Sequence, residues 1–303
     1  TGRDAILKFE GGYHGHHDYG MFSVTPQRLA PFPEPVADSA GIPEDAARRV
    51  LVAPFNDLEA TVAIMRKHKD ELACVLVEPL SRMLAPAPGF LEGLREATRA
   101  LGMVLIFDEV VTGFRVAWGG AQELYGVTPD LACYGKVVGG GLPLAAVAGT
   151  RDIMELANPR KKGAPDYAYI SGTLSGNPVS ASAGLATLGV LERPGAYERL
   201  RAVGERMRAG LRDVVARLGM PAQVLGVGPL ANVYFTAEPV TDYRSSLKAD
   251  SRVIQQLGRG LLERGVLTNF AAKLYISLAH TDSDIDRTLE AVEDTLRGIG
   301  GRR

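Results

Sequence analysis

The chain has 303 residues, of which 46% are hydrophobic and 23% are charged, enough to bury the core of one large domain and a smaller one. Its 34 basic and 35 acidic residues leave a net charge of −1, which argues against a protein that binds nucleic acid or a membrane surface. No apolar run is long enough to cross a membrane, and Cys74 and Cys133 lie far apart without a CxxC spacing, which predicts a reducing, cytoplasmic location.

Short segments that are nearly continuous in Val, Ile and Leu recur in the first half of the chain, as in strands buried on both faces. The predicted strands are 5–9, 73–77, 103–107, 131–134 and 145–148. Helical patterns alternate with them. Asp57 predicts a helix N-terminus, Pro88 and Gly102 predict the start and end of a second helix, and a long helix follows Asn177. This alternation predicts an α/β domain with a largely parallel sheet.

Beyond the break at Arg193-Pro194-Gly195 the pattern changes. A charged amphipathic helix is predicted over 197–218, followed by strands 223–227 and 230–236, a helix 249–264, a strand 273–278 and a last helix 283–299. We therefore predict a large domain over residues 1–193 and a smaller α+β domain over 194–303. The run from Gly226 to Ala231 fits the letters of the dinucleotide motif GxGxxA, but a strand follows it where that motif needs a helix, so it predicts a hairpin turn.

Two predicted strands end in residues that can carry chemistry. One apolar strand leads into Asp108, and another leads into Gly135-Lys136. Because ligands of open α/β sheets bind at the carboxyl ends of the strands, Asp108 and Lys136 are candidates for one site. A buried lysine has the lowered pKa that a Schiff base requires, and an aspartate can keep a pyridine nitrogen protonated, which suits pyridoxal 5′-phosphate. A buried Asp–Lys ion pair explains the spacing equally well.

Three histidines, His14, His16 and His17, lie close together in the sequence. A zinc site needs three or four converging ligands, and no nearby Cys or acid cluster completes one, so no metal site is predicted. His14 is expected near the cofactor instead.

Four motifs resemble those of the class-III (ω-type) aminotransferases, which have the type-I pyridoxal-phosphate aminotransferase fold. Residues 107–115, FDEVVTGFR, resemble the family's hallmark, and residues 135–143, GKVVGGGLP, resemble its lysine motif. Residues 9–15, FEGGYHG, and 172–178, GTLSGNP, resemble two more. Their order and spacing agree along essentially the whole chain. Within the family, the resemblance is strongest to glutamate-1-semialdehyde aminomutase and its aminotransferase relatives.

The resemblance implies a role for each matched residue. Lys136 would form the Schiff base with pyridoxal 5′-phosphate and later move the substrate proton, and Asp108 would pair with the pyridine nitrogen. Val110 would pack on one ring face and Tyr13 would stack on the other. Thr173 would bind the phosphate of the partner subunit's cofactor, which implies a homodimer.

Two features depart from the family's pattern. The family places a segment with a phosphate-binding loop before the position of Thr1, so the chain is expected to be N-terminally incomplete. The run 267–273 lacks the glutamate that the aminomutase carries before its SLAHT motif, which favours a related aminotransferase. Three functions follow: an aminotransferase with a small amino donor and an oxo acceptor, the aminomutase, and a truncated, catalytically impaired member.

Overall fold

The computed structural model describes residues 1–268 and 273–300 of the chain. Its backbone separates into two compact units. Unit 1 comprises Thr1–Ser81 and Pro86–Glu192, and unit 2 comprises Arg82–Ala85 and the described residues from Arg193 onward. Nothing in the sequence signals that the short segment Arg82–Ala85 leaves unit 1.

An open sheet lies at the centre of unit 1. Its strands are β1 (Ala5–Phe9), β2 (Val50–Ala53), β3 (Leu72–Val77), β4 (Val104–Asp108), β5 (Leu131–Tyr134) and β6 (Ala146–Gly149). Their order is β2-β1-β3-β4-β5-β6, and every neighbouring pair is parallel except β5 and β6. Because β3, β4 and β5 are parallel neighbours, their carboxyl ends lie side by side at one edge of the sheet.

The strands agree with the sequence-based predictions in most places. The five predicted strands are present, and β2 is a sixth that the sequence patterns did not indicate. The expectation of burial on both faces is wrong for β6, whose four residues are all exposed. It is the antiparallel edge strand, so only β5 hydrogen-bonds to it.

Helices alternate with the strands of unit 1. They are α1 (Glu44–Ala47), α2 (Leu58–Lys67), α3 (Phe90–Ala100), α4 (Gly120–Tyr125), α5 (Arg151–Met154) and α6 (Pro178–Leu191), with 3₁₀ helices at Lys136–Gly139, Glu155–Ala157 and Pro159–Lys161. Asp57 caps α2 as predicted, since its side chain accepts a hydrogen bond from Ala60 N at 2.9 Å. Helix α3 begins two residues after Pro88 because Gly89, with φ of +81°, turns the chain into it.

The core of unit 1 includes an aromatic cluster. The rings of Phe9, Phe55 and Phe90 contact one another edge to face, with centroids 5.1 to 6.0 Å apart. Asp130 ties the neighbouring elements together, because its Oδ2 accepts hydrogen bonds from Leu105 N at 2.7 Å and from Arg95 Nη2 at 3.0 Å. This network holds α3 and the start of β5 on β4.

Unit 2 combines a small antiparallel sheet with helices. Its strands are β7 (Gln223–Leu225), β8 (Leu230–Tyr234) and β9 (Leu274–Tyr275), in that order, and its helices are α7 (Ala196–Arg217), α8 (Tyr243–Ser246), α9 (Ser251–Glu263) and α10 (Asp282–Gly300). The predicted hairpin turn between 225 and 230 is confirmed, since β7 and β8 pair in antiparallel fashion. The predicted strand 273–278 is reduced to the two residues of β9.

The core of unit 2 forms where the apolar face of α7 packs on β8, α9 and α10. Met207, Leu211, Val233, Leu257 and Val292 are among its buried residues. The segment Arg82–Ala85 joins this unit through Arg82, whose carbonyl accepts a hydrogen bond from Tyr234 Oη at 2.8 Å and whose guanidinium lies 4.7 Å from the centre of the Tyr243 ring.

Candidate active site

The carboxylate of Asp108 stands at the end of β4 and is held on both oxygens. Its Oδ2 lies 2.8 Å from His14 Nδ1, and its Oδ1 accepts a hydrogen bond from Val110 N at 3.1 Å. The side chains of His14 and Asp108 are only 2% and 12% exposed. A carboxylate so far removed from water needs such partners, and they fix its orientation. The structure therefore places His14 on the predicted strand-end aspartate.

Lys136 follows β5, the neighbouring parallel strand. It begins the 3₁₀ helix Lys136–Gly139 and has a left-handed φ of +50°, a conformation that a residue with a Cβ seldom adopts. Lys136 is exposed in the structure, so the expectation of a buried lysine at this strand end is wrong. Partial desolvation of its amine still lowers the pKa of Lys136 from its ordinary value, Asp108 and Glu78 raise it, and Arg115 lowers it further. The net lowering makes the amine a better nucleophile and proton acceptor near neutral pH than an ordinary lysine.

Helix α6 packs directly against the turn that carries Lys136, at two glycines. A Cβ on Gly184 of α6 would lie 2.5 Å from Val138 O, and a Cβ on Gly140 would lie 2.6 Å from Ala183 O. Backbone therefore approaches backbone more closely than any side chain would permit. These contacts explain in part why the lysine motif is followed by consecutive glycines.

Val110, Tyr13 and Glu78 surround this edge of the sheet. A Cβ on Gly135 would lie 3.3 Å from Val110 Cγ1, so Val110 borders the backbone that precedes Lys136. The backbone N–H of Tyr13 donates to Glu78 Oε2 at 3.2 Å, and the Tyr13 side chain is exposed. Glu78 was not among the predicted site residues, although it follows β3 just as Asp108 ends β4. The signal, an apolar strand that leads into a carboxylate, was present in the sequence.

Thr173 lies apart from these contacts, in an exposed turn before α6. Asn177 caps that helix by accepting from Val179 N and Ser180 N, so both of these N–H groups are already bonded. Within the described residues, no hydrogen bond joins Thr173 to Asp108 or Lys136. Its assignment to a phosphate therefore stays a prediction.

Among residues 1–268 and 273–300, no three His, Cys, Asp or Glu side chains are grouped so that they could hold a metal ion. No helix in these ranges is long and apolar enough to span a membrane. Of the run 267–273 that lacks the aminomutase glutamate, residues 269–272 lie outside the described part.

The family profile described as aminotransferase class-III matches residues 1–296. A glutamate-1-semialdehyde 2,1-aminomutase of Desulforudis audaxviator is 45% identical over 303 residues, covering 98% of this chain and 68% of that relative. The structure of an ω-transaminase from Sphaerobacter thermophilus matches with a TM-score of 0.92 and 36% identity, covering 98% of this chain and 69% of that one. A transaminase solved with PLP bound matches with a TM-score of 0.88 and 32% identity, covering 99% of this chain and 68% of that one.

The mostly parallel sheet, the smaller antiparallel one and these structural neighbours define the type-I fold of pyridoxal-phosphate transaminases. The chain belongs to the class-III aminotransferase family. Both expectations from the sequence motifs are thereby confirmed.

Proposed function

We propose that this chain is a pyridoxal-phosphate-dependent aminotransferase that moves an amino group between an amino acid or amine and an oxo acid or aldehyde. One observation carries the proposal: Lys136, with its lowered pKa, and Asp108, fixed by His14, stand at the ends of adjacent parallel strands. Family membership and the neighbour with bound cofactor support pyridoxal 5′-phosphate as the cofactor.

The residues at this edge fit the group in charge and in chemistry. When bound, pyridoxal phosphate supplies an aldehyde and a protonated pyridine ring that withdraws electrons from the substrate. Lys136 would hold the aldehyde through Nζ and then take up and return the substrate proton. The Asp108 carboxylate, oriented by His14 and by the Val110 N–H, would keep the proton on the ring nitrogen. Val110 and Tyr13 offer an apolar and an aromatic surface to the ring faces.

Absorbance of the purified chain, titrated with pyridoxal phosphate before and after borohydride, tests the proposal. We expect a visible band that borohydride removes, leaving the pyridoxyl group covalently on the peptide that contains Lys136. Mass spectrometry of that peptide distinguishes Lys136 from the other lysines. The absence of any band, or labelling spread over exposed lysines such as Lys67, would contradict the proposal and favour the truncated, catalytically impaired member.

The second candidate is a glutamate-1-semialdehyde 2,1-aminomutase, which moves an amino group within one molecule. The names of the curated relatives favour it, including a second aminomutase, from Brevibacillus brevis, that is 46% identical over 297 residues. The ω-transaminase structure favours the aminotransferase, since its TM-score of 0.92 exceeds the 0.82 of the aminomutase structure from Pseudomonas aeruginosa.

Product analysis without an added acceptor separates these two reactions. We expect glutamate 1-semialdehyde on its own to give none of the isomer in which the amino group has moved from C2 to C1, because an aminotransferase passes the amino group to a second molecule. Amine exchange between a donor and an added oxo acid is the matched positive control. Conversion of the semialdehyde to its 2,1-isomer with no other substrate would contradict the aminotransferase and establish the aminomutase.

The proposal includes a homodimer, because Thr173 is assigned to the phosphate held by the other subunit. Location in the cytoplasm stays a prediction and is consistent with the two free cysteines, Cys74 and Cys133.

A further inference from the structure

A second carboxylate, Glu109, follows Asp108 in the sequence but points into the core. It is completely buried. Its oxygens accept hydrogen bonds from Thr112 Oγ1 at 2.8 Å, Ala121 N at 2.7 Å, Gln122 Nε2 at 3.0 Å and Gln122 N at 3.3 Å. An ionised carboxylate only accepts hydrogen bonds, and four donors satisfy most of its capacity. Glu109 is thus saturated by the start of α4 and takes no direct part in the candidate site.

The side chain of Gln122 connects this carboxylate to the next strand. Its Nε2 donates to Glu109 and also to Tyr134 Oη at 2.8 Å. Tyr134 ends β5, two residues before Lys136, and Glu109 N donates to Cys133 O at 2.9 Å. One amide therefore links a residue adjacent to Asp108 with the strand end that leads into Lys136. We call Glu109, Gln122 and Tyr134 the strand-end bridge.

Close packing fixes the strand-end bridge in place. A Cβ on Gly113 would lie 2.6 Å from Tyr134 Cδ1, and a Cβ on Gly120 would lie 2.2 Å from Glu109 Oε2. The Phe114 ring packs against the Tyr134 ring with 5.7 Å between their centroids. The bridge has no room to adopt a second arrangement without displacing its neighbours.

We propose that the strand-end bridge is a set of positioning residues that holds the Asp108 carboxylate and the Lys136 amine at a fixed separation. The inference rests on the proposed function, since it concerns the same two groups. Lys136 needs such support because its backbone is left-handed, a conformation that persists only where the surrounding structure enforces it. Without the bridge, the end of β5 would relax, and Lys136 would become more accessible to water.

Removing one hydroxyl tests the bridge with little risk to folding. Tyr134→Phe deletes the acceptor for Gln122 Nε2 and keeps the ring. Tyr125→Phe is the matched control, because Tyr125 lies on α4 and its buried hydroxyl has no hydrogen-bond partner among the described residues. Two quantities are measured: the affinity for pyridoxal phosphate, and the pH profile of Lys136 reductive methylation by formaldehyde and cyanoborohydride, followed by peptide mass spectrometry without the cofactor.

For Tyr134→Phe we expect about two- to tenfold weaker cofactor binding, the equivalent of one hydrogen bond, and a Lys136 methylation profile that moves to higher pH. The pKa of Lys136 should rise because partial desolvation is the largest cause of its lowering, and relaxation of the β5 end would relieve the desolvation that this exposed residue retains. Tyr125→Phe should leave both quantities unchanged. In Gln122→Met, the further change Tyr134→Phe should have no effect, because the connection is already broken. If Tyr134 contributed only to the stability of the fold, Tyr134→Phe would change neither the cofactor affinity nor the Lys136 methylation profile of the folded protein.

The outcomes separate the inference from the proposed function. The wild-type chain could bind no pyridoxal phosphate while Tyr134→Phe, unlike Tyr125→Phe, shifts the pH profile of Lys136 methylation. In that case the proposed function is wrong, but the positioning role of the strand-end bridge is supported. If Tyr134→Phe matches Tyr125→Phe in both measurements, the bridge does not position Lys136 and the inference is overturned. Equal effects of Tyr134→Phe in the wild-type and Gln122→Met backgrounds would overturn it as well.

Discussion

Lys136→Ala is expected to abolish the borohydride-stable attachment of pyridoxal phosphate and to lower amino transfer by about 10²- to 10⁴-fold. The variant removes the amine that would form the covalent bond and the group that would move the substrate proton. Because its neighbour Asp108 stays in place with His14, the variant should still bind the cofactor without a covalent bond. The measurements are the absorbance after borohydride and the steady-state rate of amine exchange.

Controls for this prediction come from the same unit. Lys67 lies at the exposed C-terminal end of α2. Lys67→Ala removes the same kind of amine far from Asp108, and its labelling and its rate of amine exchange should match those of the wild type. Added methylamine should restore part of the activity of Lys136→Ala, because a free amine can replace the missing one. Covalent labelling that persists in Lys136→Ala would show that another lysine carries the cofactor.

Gly120→Ala is expected to lower the free energy of unfolding by about 2 to 5 kcal/mol. Gly120 has a left-handed φ of +68°, and its new Cβ would lie 2.2 Å from Glu109 Oε2. The variant therefore combines a strained backbone with a steric clash against a saturated, buried carboxylate. Since Glu109 cannot move without breaking hydrogen bonds to α4, relaxation offers little relief.

Gly126→Ala is the matched control for this clash. Gly126 caps the other end of α4 with the same φ of +68°, but a Cβ there meets nothing within 4 Å. We expect it to cost about 1 to 2 kcal/mol, the backbone strain alone. Urea denaturation of both variants gives the comparison, and the difference measures the clash. Equal losses in the two variants would mean that Glu109 has room to move and that the strand-end bridge is not closely packed.

The fold was predictable where apolar runs were long or were bounded by capping and helix-breaking residues. Apolar runs located the five predicted strands of unit 1, and the signals at Asp57, Pro88 and Asn177 located α2, α3 and α6, all to within a few residues. The short helices α1, α4 and α5 were not predicted. Strand β2 was not predicted, although it is as long as β5 and β6, which were. The exposure of β6 could not be predicted from the sequence, because an apolar run does not indicate whether a strand lies in the middle or at the edge of a sheet.

The part of the candidate site that lies at strand ends was predictable from the sequence. Asp108 and Lys136 follow apolar strands, and the motif resemblance added His14, Val110, Tyr13 and Thr173. The contact between His14 and Asp108 needs the fold, because 94 residues separate them in sequence. The hydrogen bonds of Glu109 were hidden for a similar reason: three of them come from Ala121 and Gln122 on α4, and only the one from Thr112 is local in sequence.

The assignment of Arg82–Ala85 to unit 2 limits how the chain can be dissected. The polypeptide passes between the units at residues 81, 85 and 192, so a single cut near residue 193 separates no intact module. A fragment beginning there would lose the buried side chains of Met83 and Leu84 and the carbonyl that accepts from Tyr234. Domain exchange with this chain therefore has to transfer the four residues Arg82–Ala85 together with the C-terminal part, and a gene split at a single point cannot do so.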